Sequence, residues 1–249
     1  MAQTKHFLVF GGTGGIGEAV VGRLLAGGHR VTSAARDEGK LAAQKAKFSA
    51  LETTVCDVTS AASVEQVFAR AADFDGACLA VGSLLLKPAH LTSDEDWALT
   101  VAQNLNAAFF VLRAGIKAAG SRPVSFVFYS SVAARVGLPN HEAIAAVKAG
   151  IEGLVRSAAA TYCGRGVRVN AIAPGLVATP LTARITGNEA SRAASEAMHP
   201  LGRIGTPEDI AAATVWLLGD EASWVTGQVV SVDGGMSTVK APPRKVQAG

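Results

Sequence analysis

His6-Phe7-Leu8-Val9-Phe10-Gly11-Gly12-Thr13-Gly14-Gly15-Ile16-Gly17 is the stretch that decides the fold. Its first five residues read as a buried strand, and five of the next seven are glycine. Residues 18–26 then carry apolar side chains at helical spacing. A strand, a glycine turn and a helix start make an anion site. Backbone N–H groups without helical partners point outward there, and the helix dipole favours a phosphate. Gly11 takes the tight turn, Gly15 lets the chain approach a pyrophosphate, and Gly17 lets the helix pack closely on the sheet. The pattern is weak alone; the strand before it and the second βα unit after it give it weight.

A chain of 249 residues, 49% apolar, has room for one large α/β domain. The net charge of +3 comes partly from Lys240, Arg244 and Lys245 near the C-terminus, so it gives no nucleic-acid signal. Cys56, Cys78 and Cys163 have neither metal-ligand spacing nor even pairing. They read as reduced, mostly buried residues of a cytoplasmic protein, with no metal site. No run reaches about 20 apolar residues, and residues 1–5 lead straight into a strand, so neither a membrane span nor a signal peptide is expected.

Working outward, residues 29–35 form a second strand that ends at Ala35-Arg36. An acidic residue here would pair with a free ribose 2′-hydroxyl and select NAD. The carboxylate is missing and a guanidinium stands in its place, which suits a 2′-phosphate, with Thr32 and Ser33 as further hydroxyl donors. NADP is therefore expected over NAD, the other reading of Arg36 being a solvated charge. Strands are expected at 51–56, 77–81, 124–129, 167–172 and 227–235. Asp57, followed by Val58, either meets an adenine amino group or caps the next helix with Thr59 or Ser60. Asn104 falls inside a helix opened by Thr92 or Ser93, where a buried amide must find partners. Ser130-Ser131 ends the fifth strand, at the edge where such sheets place ligands. Lys148 lies on an Ala-rich helix over 141–162, and residues 179–201 form irregular helix where a substrate lid would fall.

Taken together, the glycine turn, Asp57, Asn104, Ser131, Lys148, the run Asn170-Ala171-Ile172-Ala173-Pro174-Gly175 and the closing Asp233-Gly234-Gly235 resemble the short-chain dehydrogenase/reductase family over nearly all of residues 5–239. The resemblance implies a Rossmann-like α/β fold, a doubly wound, seven-stranded parallel sheet with helices on both faces. It implies one domain over 1–239 with a lid over 179–203, a loose tail over 240–249, and a homo-oligomer, tetramer or dimer, built on the helices at 97–115 and 141–162. In that family the serine orients the substrate oxygen, the lysine holds the nicotinamide ribose, and the asparagine belongs to a proton relay. Carried over, these are Ser131, Lys148 and Asn104. The cofactor would lie along Gly11, Thr13, Gly15, Ile16 and Gly17, then Arg36, Asp57 and Val58. Its nicotinamide end would meet Gly82, Lys148, Pro174, Gly175 and Val177.

One role is empty. The family's tyrosine, four residues before the lysine, is Ile144 here, which has no proton to give. Loss of a general acid is worth roughly 10²–10⁴ in rate. His141, seven residues before Lys148 and on roughly the same helical face, can replace it, as the divergent enoyl-thioester reductases of this superfamily place their tyrosine at that spacing. Its other reading is a solvated residue at the helix start. Tyr129 is a second candidate, two residues before Ser131 and so on its strand face, although an aromatic there is more often core; Tyr162, about four turns beyond Lys148, is set aside. The strand-four motif, usually Asn-Asn-Ala-Gly, is Leu79-Ala80-Val81-Gly82. The expected function is an NADP-dependent oxidoreductase acting on a carbonyl or activated double bond of a small apolar substrate with a displaced proton donor. The alternative is an NADP(H)-binding protein with little turnover.

Overall fold

A computed structural model describes residues 3–71 and 73–240. Seven strands, β1 (His6–Phe10), β2 (Arg30–Ala35), β3 (Glu52–Val55), β4 (Gly76–Leu79), β5 (Ser125–Tyr129), β6 (Arg168–Pro174) and β7 (Val229–Val232), form one sheet in the order β3-β2-β1-β4-β5-β6-β7. Every pairing is parallel. The chain runs outward in one direction from β1 to β3 and in the other from β4 to β7. Its topological switch point therefore lies between β1 and β4, where a crevice opens at the carboxyl ends of the strands.

The period-two alternation of β1 explains the layers. Leu8 and Phe10 enter one buried cluster with α3 (Ala61–Arg70), α5 (Ala107–Ala119) and α6 (Glu142–Tyr162). Phe7 and Val9 enter the other, with α1 (Gly15–Ala26) and α9 (Pro207–Leu218). A strand covered on both faces reads as a continuous apolar run, as this one does.

Most expected elements appear with ends moved by a residue or two. The fourth strand stops at Leu79 rather than Val81: its neighbour β1 ends at Phe10, whose carbonyl takes the Ala80 N–H, and the chain then leaves the ladder. The α6 helix starts at Glu142, with His141 as its N-cap. Asp37 caps α2 (Glu38–Lys47), Ser60 rather than Thr59 caps α3, and Ser93 caps α4 (Asp94–Val101).

The helix expected through Asn104 is not one regular run. Between α4 and α5, residues 102–106 widen into a π turn. Asn104 sits in it and donates Nδ2–H to the Thr100 carbonyl at 2.9 Å, an insertion of a side chain into the helical ladder that goes with such widening. The irregular stretch after β6 resolves into α7 (Ala183–Thr186) and α8 (Glu189–Met198). Of the tail 240–249, all but Lys240 lies outside the described residues.

Candidate active site

The glycine turn is shaped by contacts that only glycine permits. Gly11 has φ +82°, and a Cβ on Gly17 would fall 2.1 Å from the Gly11 carbonyl oxygen. The α1 helix starts from Gly14 with no side-chain cap, whereas Asp37, Ser60, Ser93, Asn188 and Thr206 each cap theirs. Its dipole end is therefore open to an anion. Close by stands Thr179, a residue the sequence did not single out: a Cβ on Gly15 would meet its methyl at 2.9 Å. The only sequence signal for it is a hydroxyl shortly after the Pro174-Gly175 turn.

At the ribose end of the crevice, Arg36 is exposed just past β2 and makes no hydrogen bond among the described residues. Asp57 accepts from the Thr59 N–H and hydroxyl at 2.9 and 2.7 Å. These bonds, with the Arg36 charge adding less, hold its carboxyl below the usual range. Val58 is buried beside it. The hydroxyls of Thr32 and Ser33 are not available to a phosphate. Thr32 is tied to the His6 ring at 2.9 Å and to Glu52, and Ser33 donates to Gln44 at 2.7 Å while Gln44 donates to the Gly12 carbonyl. Both side chains point into the protein rather than along the rim.

The reacting end gathers three of the four expected residues. Ser131 opens a short 3-10 turn, accepts from the Ala133 N–H at 3.1 Å, and lines a cavity of about 530 Å³. Lys148 lies on α6 with its ammonium buried, donating to the Tyr129 carbonyl at 2.9 Å. Burial pushes it down to about 8. Asn104 donates to Ser83 at 3.0 Å, and its Oδ1 is buried with no partner among the described residues. It does not line the cavity but stands behind Gly82, which does.

His141 and Ile144 both line that cavity beside Lys148. Ile144 is buried and apolar, and the His141 ring is held at Nδ1, 2.7 Å from the Pro139 carbonyl. A carbonyl accepts, so Nδ1 carries the hydrogen and Nε2 is the nitrogen left for a ligand. Tyr129 is excluded as the proton donor. Its hydroxyl lies 2.8 Å from Thr214 Oγ1 on α9, inside the second core cluster, and burial raises its pKa well above the ordinary phenol. An aromatic at this strand position is more often core, and Tyr129 takes that role here.

The cavity wall is mainly aliphatic, including Val81, Leu84, Leu138, Leu176, Ile185 and Met198, with Pro174, Gly175 and Ile16 towards the glycine turn. From the stretch after β6, Leu181, Ile185 and Met198 line it; Leu201, 74% exposed, does not, and Arg192 pairs with Glu196. Val177 is buried against the α1–α9 side. A second missed residue is His199, buried just past α8. Its Nδ1 lies 2.6 Å from the Ser195 carbonyl, and its Nε2 accepts from the Leu176 N–H at 3.2 Å. Gly175 has to be small because a Cβ there would fall 2.5 Å from that Nε2. Of the cysteines, Cys56 and Cys78 are buried and Cys163 is exposed; no helix among the described residues is long and apolar enough to cross a membrane.

A parallel sheet with a glycine turn at its switch point, opening on a cavity that holds a serine, a lysine and an imidazole, defines a nucleotide-dependent oxidoreductase. Residues 11–237 match the family model described as Enoyl-(Acyl carrier protein) reductase, and the chain belongs to the short-chain dehydrogenase/reductase family. It is 34% identical over 244 residues to 3beta-hydroxysteroid dehydrogenase 1 of Eggerthella lenta, covering 94% of both chains. Among solved structures it superposes on a short-chain type dehydrogenase/reductase from Mycobacterium ulcerans with TM-score 0.90 and 32% identity, covering 97% of this chain and 92% of that one. It also superposes on a single-residue variant of actinorhodin polyketide ketoreductase with NADPH, with TM-score 0.90 and 27% identity, covering 96% of this chain and 100% of that one.

Proposed function

We propose that this chain is an NADP-dependent reductase of a neutral, mainly apolar ketone or conjugated enone, with His141 as its proton donor. The observation that carries the reading is that Ser131, Lys148 and His141 line one aliphatic cavity which runs on to Ile16 at the start of α1 and to Pro174-Gly175. The residues fit the cofactor. Gly11, Thr13, Gly15, Ile16 and Gly17 would take the pyrophosphate, Arg36 the 2′-phosphate, and Asp57 and Val58 the adenine side. Gly82, Lys148, Pro174, Gly175 and Val177 would bound the nicotinamide ribose and ring. The ketoreductase that superposes on this chain is described with NADPH, which supports the same choice. When bound, the cofactor supplies a hydride.

In this reading the Ser131 hydroxyl orients the substrate oxygen. In that role His141 gives the proton on Nε2 to that oxygen while Nδ1–H stays on the Pro139 carbonyl. Lys148 holds the ribose, and Asn104 backs Gly82 from behind. Lys148, which this reading assigns to the ribose, is the one lysine or arginine lining the cavity among the described residues, so no further such cation is left for an anionic substrate. A second copy would cover the exposed Trp97, Leu99 and Phe109 of α4 and α5, in a dimer or tetramer.

A second reading, NADP(H) binding with little turnover, is favoured by Ile144, which puts a buried aliphatic side chain where the family's acid would stand. Calorimetric titration with NADPH and NADH, beside a turnover screen over ketones, enones and enoyl thioesters, separates the two. Tight NADPH binding, weakened by R36A more than NADH binding is, with turnover that falls roughly 10²-fold or more in H141A, supports the enzyme. Binding without turnover until I144Y creates it supports the second reading.

A further inference from the structure

We propose that Asn140 is the positioning residue for the His141 imidazole, acting through its left-handed backbone and not through its side chain. The inference rests on His141 being the proton donor.

Asn140 has φ +62° and is the one non-glycine residue with positive φ among the described residues. Asparagine tolerates this region better than other side chains, and strain of this kind is kept where the surroundings impose it. Here the surroundings are two polar clasps. The Asn140 carbonyl accepts from the Lys87 N–H at 2.9 Å, and Lys87 Nζ in turn bonds Asp96 at 2.7 Å in the first turn of α4. On either side of Asn140, the His141 ring reaches back to the Pro139 carbonyl at 2.7 Å, while the His141 carbonyl accepts from the Ala145 N–H to open α6.

His141 therefore does two things at once: its backbone begins a helix and its ring folds back over the residue before the turn. A left-handed residue between the Pro139 carbonyl and His141 reverses the chain so that both bonds form together. The Asn140 side chain is exposed and makes no hydrogen bond among the described residues, so it contributes no chemistry of its own. The segment anchored by Lys87 also supplies Ser83, Leu84 and Leu86 to the cavity wall. Asn140 thus ties the substrate wall to the donor: the ring stays oriented while that loop is docked.

The test compares N140A with N140G, since glycine adopts positive φ without strain and alanine does not. Histidine-selective ¹⁵N NMR, with the His141 signals assigned by their loss in H141A, reads the ring directly and needs no substrate. Wild type and N140G should show one Nδ1–H tautomer at His141, and N140A a mixture. With a substrate from the screen, N140A should lower kcat roughly tenfold or more with NADPH affinity unchanged. N140G should return kcat to within about twofold, and H141A/N140A should be no slower than H141A. Equal loss in N140A and N140G, or an unaltered tautomer in N140A, overturns the positioning role. Wild-type kcat in H141A overturns the reading it rests on, and is told apart by that single variant.

Discussion

Asn104 Oδ1 and Lys148 Nζ stand against the same glycine: a Cβ on Gly82 would lie 3.0 Å from the first and 3.4 Å from the second. The amide is pinned by Ser83 and Thr100, and the ammonium by the Tyr129 carbonyl, so neither can swing away freely. The altered strand-four motif keeps this glycine while losing its side-chain amides.

A methyl group at that point should therefore be felt by both. G82A is expected to destabilise the protein by about 1–3 kcal/mol through overpacking. It should also weaken NADPH binding, because it displaces Lys148, the residue proposed to hold the ribose. Thermal unfolding with and without NADPH reads both effects. An unchanged midpoint and unchanged affinity would refute the crowding.

Lys148 predicts a pH dependence of stability. Burial holds its ammonium at about 8 in the folded protein against an ordinary 10.5. Between those values the unfolded chain binds more protons, so stability rises with pH. The contribution is fully present above the unfolded value and is lost as pH falls through about 8. A shift of this size corresponds to about 3 kcal/mol. Urea unfolding between these two pH values should show the rise in wild type and a flatter curve in K148M. NADPH affinity in wild type should move the opposite way, falling as the ammonium is lost above about 8.

Tyr129 should behave as a core residue. Its hydroxyl is shared with Thr214 on α9, 2.8 Å away, on the face of the sheet opposite α6. Y129F removes one buried hydrogen bond and is expected to cost about 1 kcal/mol. kcat should remain at the wild-type value. A large fall in kcat at unchanged stability would return Tyr129 to the list of donors.

Much of the fold could be read from the chain alone because the signals are local. Apolar runs such as β1 and β5, the glycine turn and capping residues such as Ser93 act within a few residues of themselves, and the strands they announce are present. Errors gathered at strand ends. Ladder pairing decides them, as when β4 closes early because its neighbour β1 ends at Phe10. The site was legible where a side chain must sit at a fixed helical or turn spacing, as with Ser131, His141, Ile144 and Lys148, which all line one cavity.

What could not be read depended on partners distant in sequence. Thr32 and Ser33 look like rim hydroxyls until His6 and Gln44 claim them. His199 carries no motif, yet it joins Ser195 to Leu176 and occupies the space that a side chain at 175 would need. Asn140 is ordinary as a letter; its φ of +62° goes with a bond that its carbonyl accepts from the N–H of Lys87, far back along the chain on the loop after β4.

The sequence by itself determined the α/β alternation, the open helix end at the glycine turn and the absence of a tyrosine at 144, because periodicity, backbone freedom and residue identity are properties of the chain. Only the tertiary structure decided which hydroxyls are spent, which imidazoles face the cavity and which way Tyr129 points. Those outcomes depend on hydrogen bonds and packing between elements that meet only when the sheet has closed.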